Sequence, residues 1–340
     1  MPENLLDVLE SRRLFASLTA GQTATSSITT SATTKNWTVS LKAGQAIVVA
    51  VGDTGTTSFA PELALIGPDG KTVATTSGDK GAFLSKTAAT TGTYTVRVRD
   101  VGQNQSGSIK VTAFYTGSST VTDSDDALAA QSGRRFAATI EPGDLDVWRV
   151  TGKAGQFLSV VATENKVGDP VDPGVILVGP DGKIVTTKTS ETGVKIDQPS
   201  IKTGTYYAVV FESGADNTAR YGISFGQTPG TQTTEDPDTQ KTLVSGETRT
   251  GDLPGGDIDL FQVSLAKGKK ISLNVARGST GSLDPEVLII DPTGKVVASA
   301  NGSSTASVTY TTLTAGTFSF LLRDRESDDG GQYKLTYKLT

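Results

Sequence analysis

Pro61–Lys71 reads PELALIGPDGK, an apolar run closed by a Pro-Asp-Gly turn, and the chain writes this phrase three times. It returns as Pro173–Lys183, PGVILVGPDGK, and again as Pro285–Lys295, PEVLIIDPTGK, each step being 112 residues. Proline presets φ for the first central position of a tight turn and glycine completes it, so each copy predicts strand, turn, strand. A second phrase keeps the same period: Thr91–Asp100 (TGTYTVRVRD), Thr203–Glu212 (TGTYYAVVFE) and Ala315–Asp324 (AGTFSFLLRD). Tyr94, Val96 and Val98 alternate with Thr95, Arg97 and Arg99, the period-two pattern of a half-buried strand. Many short strands with frequent turn signals, in units of 112 residues, predict an all-β chain. The expected architecture is three tandem jelly-roll-like β-sandwiches.

Composition agrees. The 340 residues include 51 threonines and 38 glycines, which favours strands joined by tight turns over helices. Histidine and cysteine are both absent. That removes Ser-His-Asp triads, cysteine nucleophiles, histidine acid–base chemistry and ordinary zinc sites together. A net charge of −5 argues against a nucleic-acid partner, because phosphate neutralisation needs a basic face. No apolar run approaches the roughly 18 residues of a transmembrane helix, so no such segment is expected.

The repeats place their boundaries at 19–117, 131–227 and 241–340, with linkers at 118–130 and 228–240 and a leader-like segment at 1–18. Both linkers are polar and lack periodicity, and read as extended, mobile connectors.

The motif order also resembles a known family. Asp144-Leu-Asp146-Val-Trp148 is followed by Ala154-Gly-Gln156, the Asp172-Pro173 run, Gly204-Thr-Tyr206 and a closing Tyr221 strand. Asp257-Ile-Asp259-Leu-Phe261 opens a third copy of the same order. This resembles the bacterial pre-peptidase C-terminal domain, over about Thr19 to Thr340. The first copy departs from it, with Thr33, Lys35 and Trp37 at the opening positions. Leu9–Ala16 (LESRRLFA) looks like a short leader found ahead of bacterial extracellular proteins. The resemblance implies a secreted or cell-surface, non-catalytic β-sandwich module that binds an extracellular protein or polysaccharide. It equally allows an accessory module for a separately encoded secreted hydrolase.

Two sets of residues stand out as candidate sites. Asp144, Asp146 and Asp172 in the second repeat match Asp257, Asp259 and Asp284 in the third, where the first has Thr33, Lys35 and Ala60. Calcium takes six to eight oxygen ligands, and acids lost together from one copy suggest one unit, so a calcium site is one reading. Capping of turns by aspartate is the other. The second set is Tyr207, Val209 and Phe211, apolar where the first repeat has Thr95, Arg97 and Arg99. Such a stripe marks a contact, either an external ligand surface or a neighbouring part of the chain. The repeated aromatics at Trp37, Trp148 and Phe261 read as core. For catalysis, no carboxylate pair breaks the repeat symmetry, and the chain reads as no enzyme.

Overall fold

The computed structural model describes residues 15–30, 33–55, 59–117, 129–164, 172–232, 236, 238–239 and 242–340. The first repeat runs β1 (Ala16–Ser17), β2 (Thr23–Ile28), β3 (Thr34–Leu41), β4 (Ala46–Asp53), β5 (Pro61–Ile66), β6 (Thr72–Ser77), β7 (Gly81–Thr87), β8 (Gly92–Asp100) and β9 (Gly107–Tyr115). The second runs β10 (Arg135–Ile140), β11 (Asp146–Gly152), β12 (Phe157–Glu164), β13 (Pro173–Val178), β14 (Ile184–Thr189), β15 (Gly193–Gln198), β16 (Gly204–Glu212) and β17 (Ala219–Thr228). The third runs β18 (Thr248–Leu253), β19 (Ile258–Leu265), β20 (Lys270–Gly281), β21 (Pro285–Ile290), β22 (Val296–Asn301), β23 (Thr305–Thr311), β24 (Gly316–Asp324) and β25 (Gly331–Leu339).

Six sheets result, and their strand orders follow one rule. Counting eight strands from β2, β10 and β18, one sheet of each repeat has the order 1-8-3-6 and the other 2-7-4-5. That pairing, antiparallel within each of these eight-strand sets, is the jelly roll. The Pro-Asp-Gly and Pro-Thr-Gly turns join β5 to β6, β13 to β14 and β21 to β22. Gly70, Gly182 and Gly294 take the positive φ that those turns require. Each sandwich has its own core, and Trp37, Trp148 and Phe261 lie inside the three of them, as do Tyr94, Tyr206 and Phe318.

Two boundaries differ from those expected. β1 pairs parallel with β3, Leu18 is buried in the first core, and Tyr115 donates its hydroxyl to the Leu18 carbonyl at 2.7 Å. Ala16–Leu18 is thus part of the first sandwich rather than of a leader; Leu9–Leu14 of the leader motif lie outside the described residues. The second linker begins fastened rather than mobile. Thr228 is buried against Ser319 of the third repeat, Gln156 donates to the Pro229 carbonyl, and Gln262 donates to the Gly230 carbonyl at 2.9 Å. Most of the first linker, 118–128, lies outside the described residues.

The repeats are not beads on a string. The outer face of the first repeat's 1-8-3-6 sheet packs on the outer face of the second repeat's 2-7-4-5 sheet. The second repeat meets the third in the same sense. This explains why β4 (AIVVAVGD) and β12 (FLSVVATE) are buried along their whole length, whereas β20 alternates buried Ile271, Leu273 and Val275 with exposed or half-buried Lys270, Ser272 and Asn274. A strand covered on both faces has no position left for solvent.

Candidate functional site

The six aspartates do not form two triads. Asp146 pairs with Val210 on β16, and Val210 pairs in turn with Val175 on β13, so β16 lies between Asp144–Asp146 and Asp172. Two strand spacings, about 10 Å, lie between their backbones. Asp172 instead sits near the Ser213 hydroxyl at 3.4 Å. In the third repeat β24 separates Asp257–Asp259 from Asp284 in the same way. Asp284 is paired with Arg277 at 2.6 Å and Arg325 at 3.4 Å. Among the described residues, no group of three or more acids could hold a metal ion. The described residues thus bring neither predicted triad together as a single cluster.

What the aspartates do is specific. Asp146 is buried and accepts a hydrogen bond from the Tyr221 hydroxyl at 2.5 Å; that hydroxyl also accepts from Trp148 Nε1 at 2.9 Å. Asp259 likewise accepts from Tyr333. In the first repeat the counterpart of Tyr221 and Tyr333 is Ile109. Aspartate and tyrosine form one buried pair, and the first repeat lacks both, with Lys35 and Ile109 at those positions. Asp144 and Asp257 cap the strand start, each accepting the next backbone N–H at 2.8 Å. Both also reach the preceding repeat, Asp144 toward the Thr23 hydroxyl at 3.4 Å and Asp257 toward the Ser224 hydroxyl at 3.2 Å.

One carboxyl cluster was not visible from the triads. Asp236, from the second linker, lies close enough to Asp257 and Asp259 to act on both electrostatically. Burial first, and the Asp236 charge second, push the Asp257 carboxyl up to about 7. Burial and the Asp257 and Asp236 charges raise Asp259 well above the carboxylate range. Tyr333, buried beside Asp259, is raised too. The sequence of the second linker reads as an extended connector, so only its contact with the sandwich reveals the group.

The apolar stripe is covered by the chain itself. Val209 and Phe211 are buried in the cluster that also holds Ala46, Val48, Ala50 and Phe114 of the first repeat. Phe211 stacks on Phe83 with ring centroids 4.0 Å apart and planes 9° from parallel, and Tyr207 tilts against Phe114 at 5.2 Å. A Cβ on Gly174 would lie 2.2 Å from the Phe211 ring, so glycine there makes the room for it. Tyr207, Val209 and Phe211 are thus an internal contact with a neighbouring part of the chain, the second of the two readings, rather than an external surface.

The seam between the second and third repeats adds charge to apolar contact. Phe157 and Val161 pack against Ile258, Leu260, Leu288 and Leu321. At its edge Arg323, 1 % exposed, donates to Glu286 at 2.7 Å, to Ser159 at 2.6 Å and to both Asp197 oxygens at 2.6 and 2.7 Å. Lys195 completes the group on Glu286 at 2.7 Å. Burial works against the Arg323 charge, but the Asp197 and Glu286 contacts outweigh it and raise its pKa. Burial would raise Asp197, yet the Arg323 hydrogen bonds prevail and hold it below its ordinary value. A cavity of about 600 Å³ opens beside Arg323, lined by Phe157, Pro199, Leu288 and Lys295 among others. In the sequence Arg323 stands at the position of Arg99 and Phe211 in the other copies, and nothing local names its partners across the seam.

No protein-family model matches the chain, and no curated protein matches it. Among solved structures, the M60 catalytic domain with two CBM51 domains from Clostridium perfringens ZmpB is similar over 90% of this chain at 9% identity and a TM-score of 0.19. This chain spans about a third of that protein's length, 33%. A Sulfolobus Turreted Icosahedral Virus structure is similar over 95% of this chain and 84% of its own, at 9% identity and a TM-score of 0.18. Bacillus subtilis oxalate decarboxylase covers 64% of this chain and 75% of its own, at 11% identity and 0.16. Likenesses this weak carry no argument about function.

Proposed function

We propose that this chain is a non-catalytic, exported binding protein: a stack of three sandwiches of the pre-peptidase C-terminal type. It holds an extracellular protein or polysaccharide, in an adhesive or surface-matrix role. The observation that carries this reading is the use made of the buried polar groups. Arg323, Asp197 and Glu286 join the second repeat to the third, while Asp146 and Asp259 fasten Tyr221 and Tyr333. These groups serve the fold, joining one repeat to the next and closing the sandwich cores, and the repeats carry equivalent turns at each period of 112 residues. Evenly spaced equivalent loops raise avidity for a polymer far above the affinity of one contact. The test has two arms: fractionation of the producing cell, and retention of the purified full-length chain on insoluble matrix protein and polysaccharide. Export together with saturable retention supports the reading. Intracellular location, or turnover of a glycan or peptide by the purified chain, refutes it.

A further inference from the structure

The two seams are the same contact made twice. β7 and β15 begin with Gly81 and Gly193, and a Cβ on either would strike the next repeat. On Gly81 it would lie 2.2 Å from the Gly214 carbonyl oxygen and 2.5 Å from that of Ala215; on Gly193, 1.5 Å from that of Ser327. Ala215 and Ser327 are equivalent, and both hold a left-handed backbone with φ of 54° and 63°. A second glycine contact also recurs. Cβ atoms on Gly143 and Gly256 would lie 2.4 Å from the carbonyl oxygens of Lys110 and Gly222, again equivalent positions. Each seam thus joins unlike faces, the 1-8-3-6 sheet of one repeat and the 2-7-4-5 sheet of the next.

A contact between unlike faces does not close on itself. Unless something stops it, it propagates from one molecule to the next and gives a fibre. Both open faces differ from the ones that stack. At the start of β23, where Gly81 and Gly193 stand in the other repeats, the third repeat has Thr305. Along β20 the positions of Ala46, Val48 and Ala50 carry Lys270, Ser272 and Asn274, and Lys338 stands where Phe114 does. At the other end the stripe is Thr95, Arg97 and Arg99, and Arg99 is held in a two-pronged ion pair by Glu62 at 2.8 Å. We infer that Thr305 is a stacking stop: it closes, to a second copy of this chain, the seat that Gly81 and Gly193 leave open, and the polar end faces reinforce it. This goes beyond the binding role proposed above and does not depend on it.

Two full-length variants test the inference. One opens the seat by giving the third repeat the residues of the first: Lys270→Ala, Ser272→Val, Asn274→Ala, Thr305→Gly and Lys338→Phe. The other gives the first repeat the stripe of the second: Thr95→Tyr, Arg97→Val and Arg99→Phe. Circular dichroism establishes that each is folded, and light scattering after size exclusion reads the mass. The wild type and each variant alone run at the monomer mass of 35.2 kDa, and their mixture gives a species of twice that mass. Restoring threonine at 305 alone, with the other four changes kept, abolishes the doubling. Stacking by the wild type, pairing that survives the restored threonine, or folded variants that do not pair would each overturn the inference.

Discussion

Tyr221 and Tyr333 show how much a single hydroxyl does inside these sandwiches. The Tyr221 hydroxyl gives its proton to Asp146 and accepts that of Trp148, all three side chains being buried. Tyr221→Phe keeps the ring and removes both bonds, and a buried polar group deprived of a partner costs about 1–3 kcal/mol. A fall in the denaturant midpoint without change in the slope is the expected result. The same change at Tyr333 has a pH-dependent counterpart. Asp257 is raised to about 7 in the folded protein by burial and by Asp236, and Asp259 is raised further. A carboxyl raised on folding binds its proton more tightly in the native state. Its stabilisation is therefore fully present below the unfolded carboxylate pKa and is lost as pH rises through the folded value. Melting temperature should fall between about pH 4 and pH 8 in step with these groups. Asp257→Asn removes one charge from the cluster, so it should flatten that fall and raise the melting point at pH 8. An unchanged pH slope in this variant would exclude Asp257 as its source.

At the scale of the strand, β15 and β24 hold the edge of the second seam, whose apolar centre is β12 against β19, β21 and β24. Gly193 opens β15 and Arg323 lies near the end of β24. Gly193→Thr places a side chain where the Ser327 carbonyl already is, so the third repeat must swing away. Small-angle scattering should report a larger radius of gyration with far-ultraviolet dichroism unchanged. Arg323→Leu breaks the charged edge of the same seam and leaves Asp197 without its bidentate partner. Breaking a buried pair costs about 3–5 kcal/mol, and the low end applies because Asp197 keeps a third of its surface in water. These strands also mark what the sequence could and could not show. The turn phrase at Pro61, Pro173 and Pro285 made the hairpins and the repeat legible, since turn chemistry is local. The seams were half legible. Tyr207, Val209 and Phe211 announced a covered face, but its cover was hidden in the uninterrupted apolar run of Ala46–Val51, which reads as core until both sides are counted. The Asp236 cluster and the Arg323 group were not legible at all, because each joins residues far apart in sequence through electrostatics that no spacing encodes.

At the scale of the whole molecule, seams of this kind decide whether three sandwiches unfold as one body or as three. Repeats that touch only their neighbours have a stability set by each unit's own term plus the coupling at each contact. Here both couplings are apolar at the centre, and the second is also charged at the edge. The first is the cleaner one to cut, since the first repeat itself supplies the residues an open face carries. Tyr207→Thr with Phe211→Arg removes the Phe83 stack and the Phe114 contact and sets an arginine against the aliphatic face of β4. Losing a buried phenylalanine costs about 3–5 kcal/mol, which is of the order of a marginal domain's whole stability. The core of neither sandwich is touched, because Tyr206, Ala208 and Val210 alternate inward on the same strand. Calorimetry of the wild type should therefore show the first and second repeats melting in one transition. In the double variant the first repeat should melt apart, in a separate peak below the others, while the transition of the second and third repeats stays joined. Scattering should show the matching increase in length. If the variant instead keeps one transition at a uniformly lower temperature, the coupling runs through the glycine contacts of Gly52, Gly81 and Gly143, and the aromatic stripe only fills the space between them.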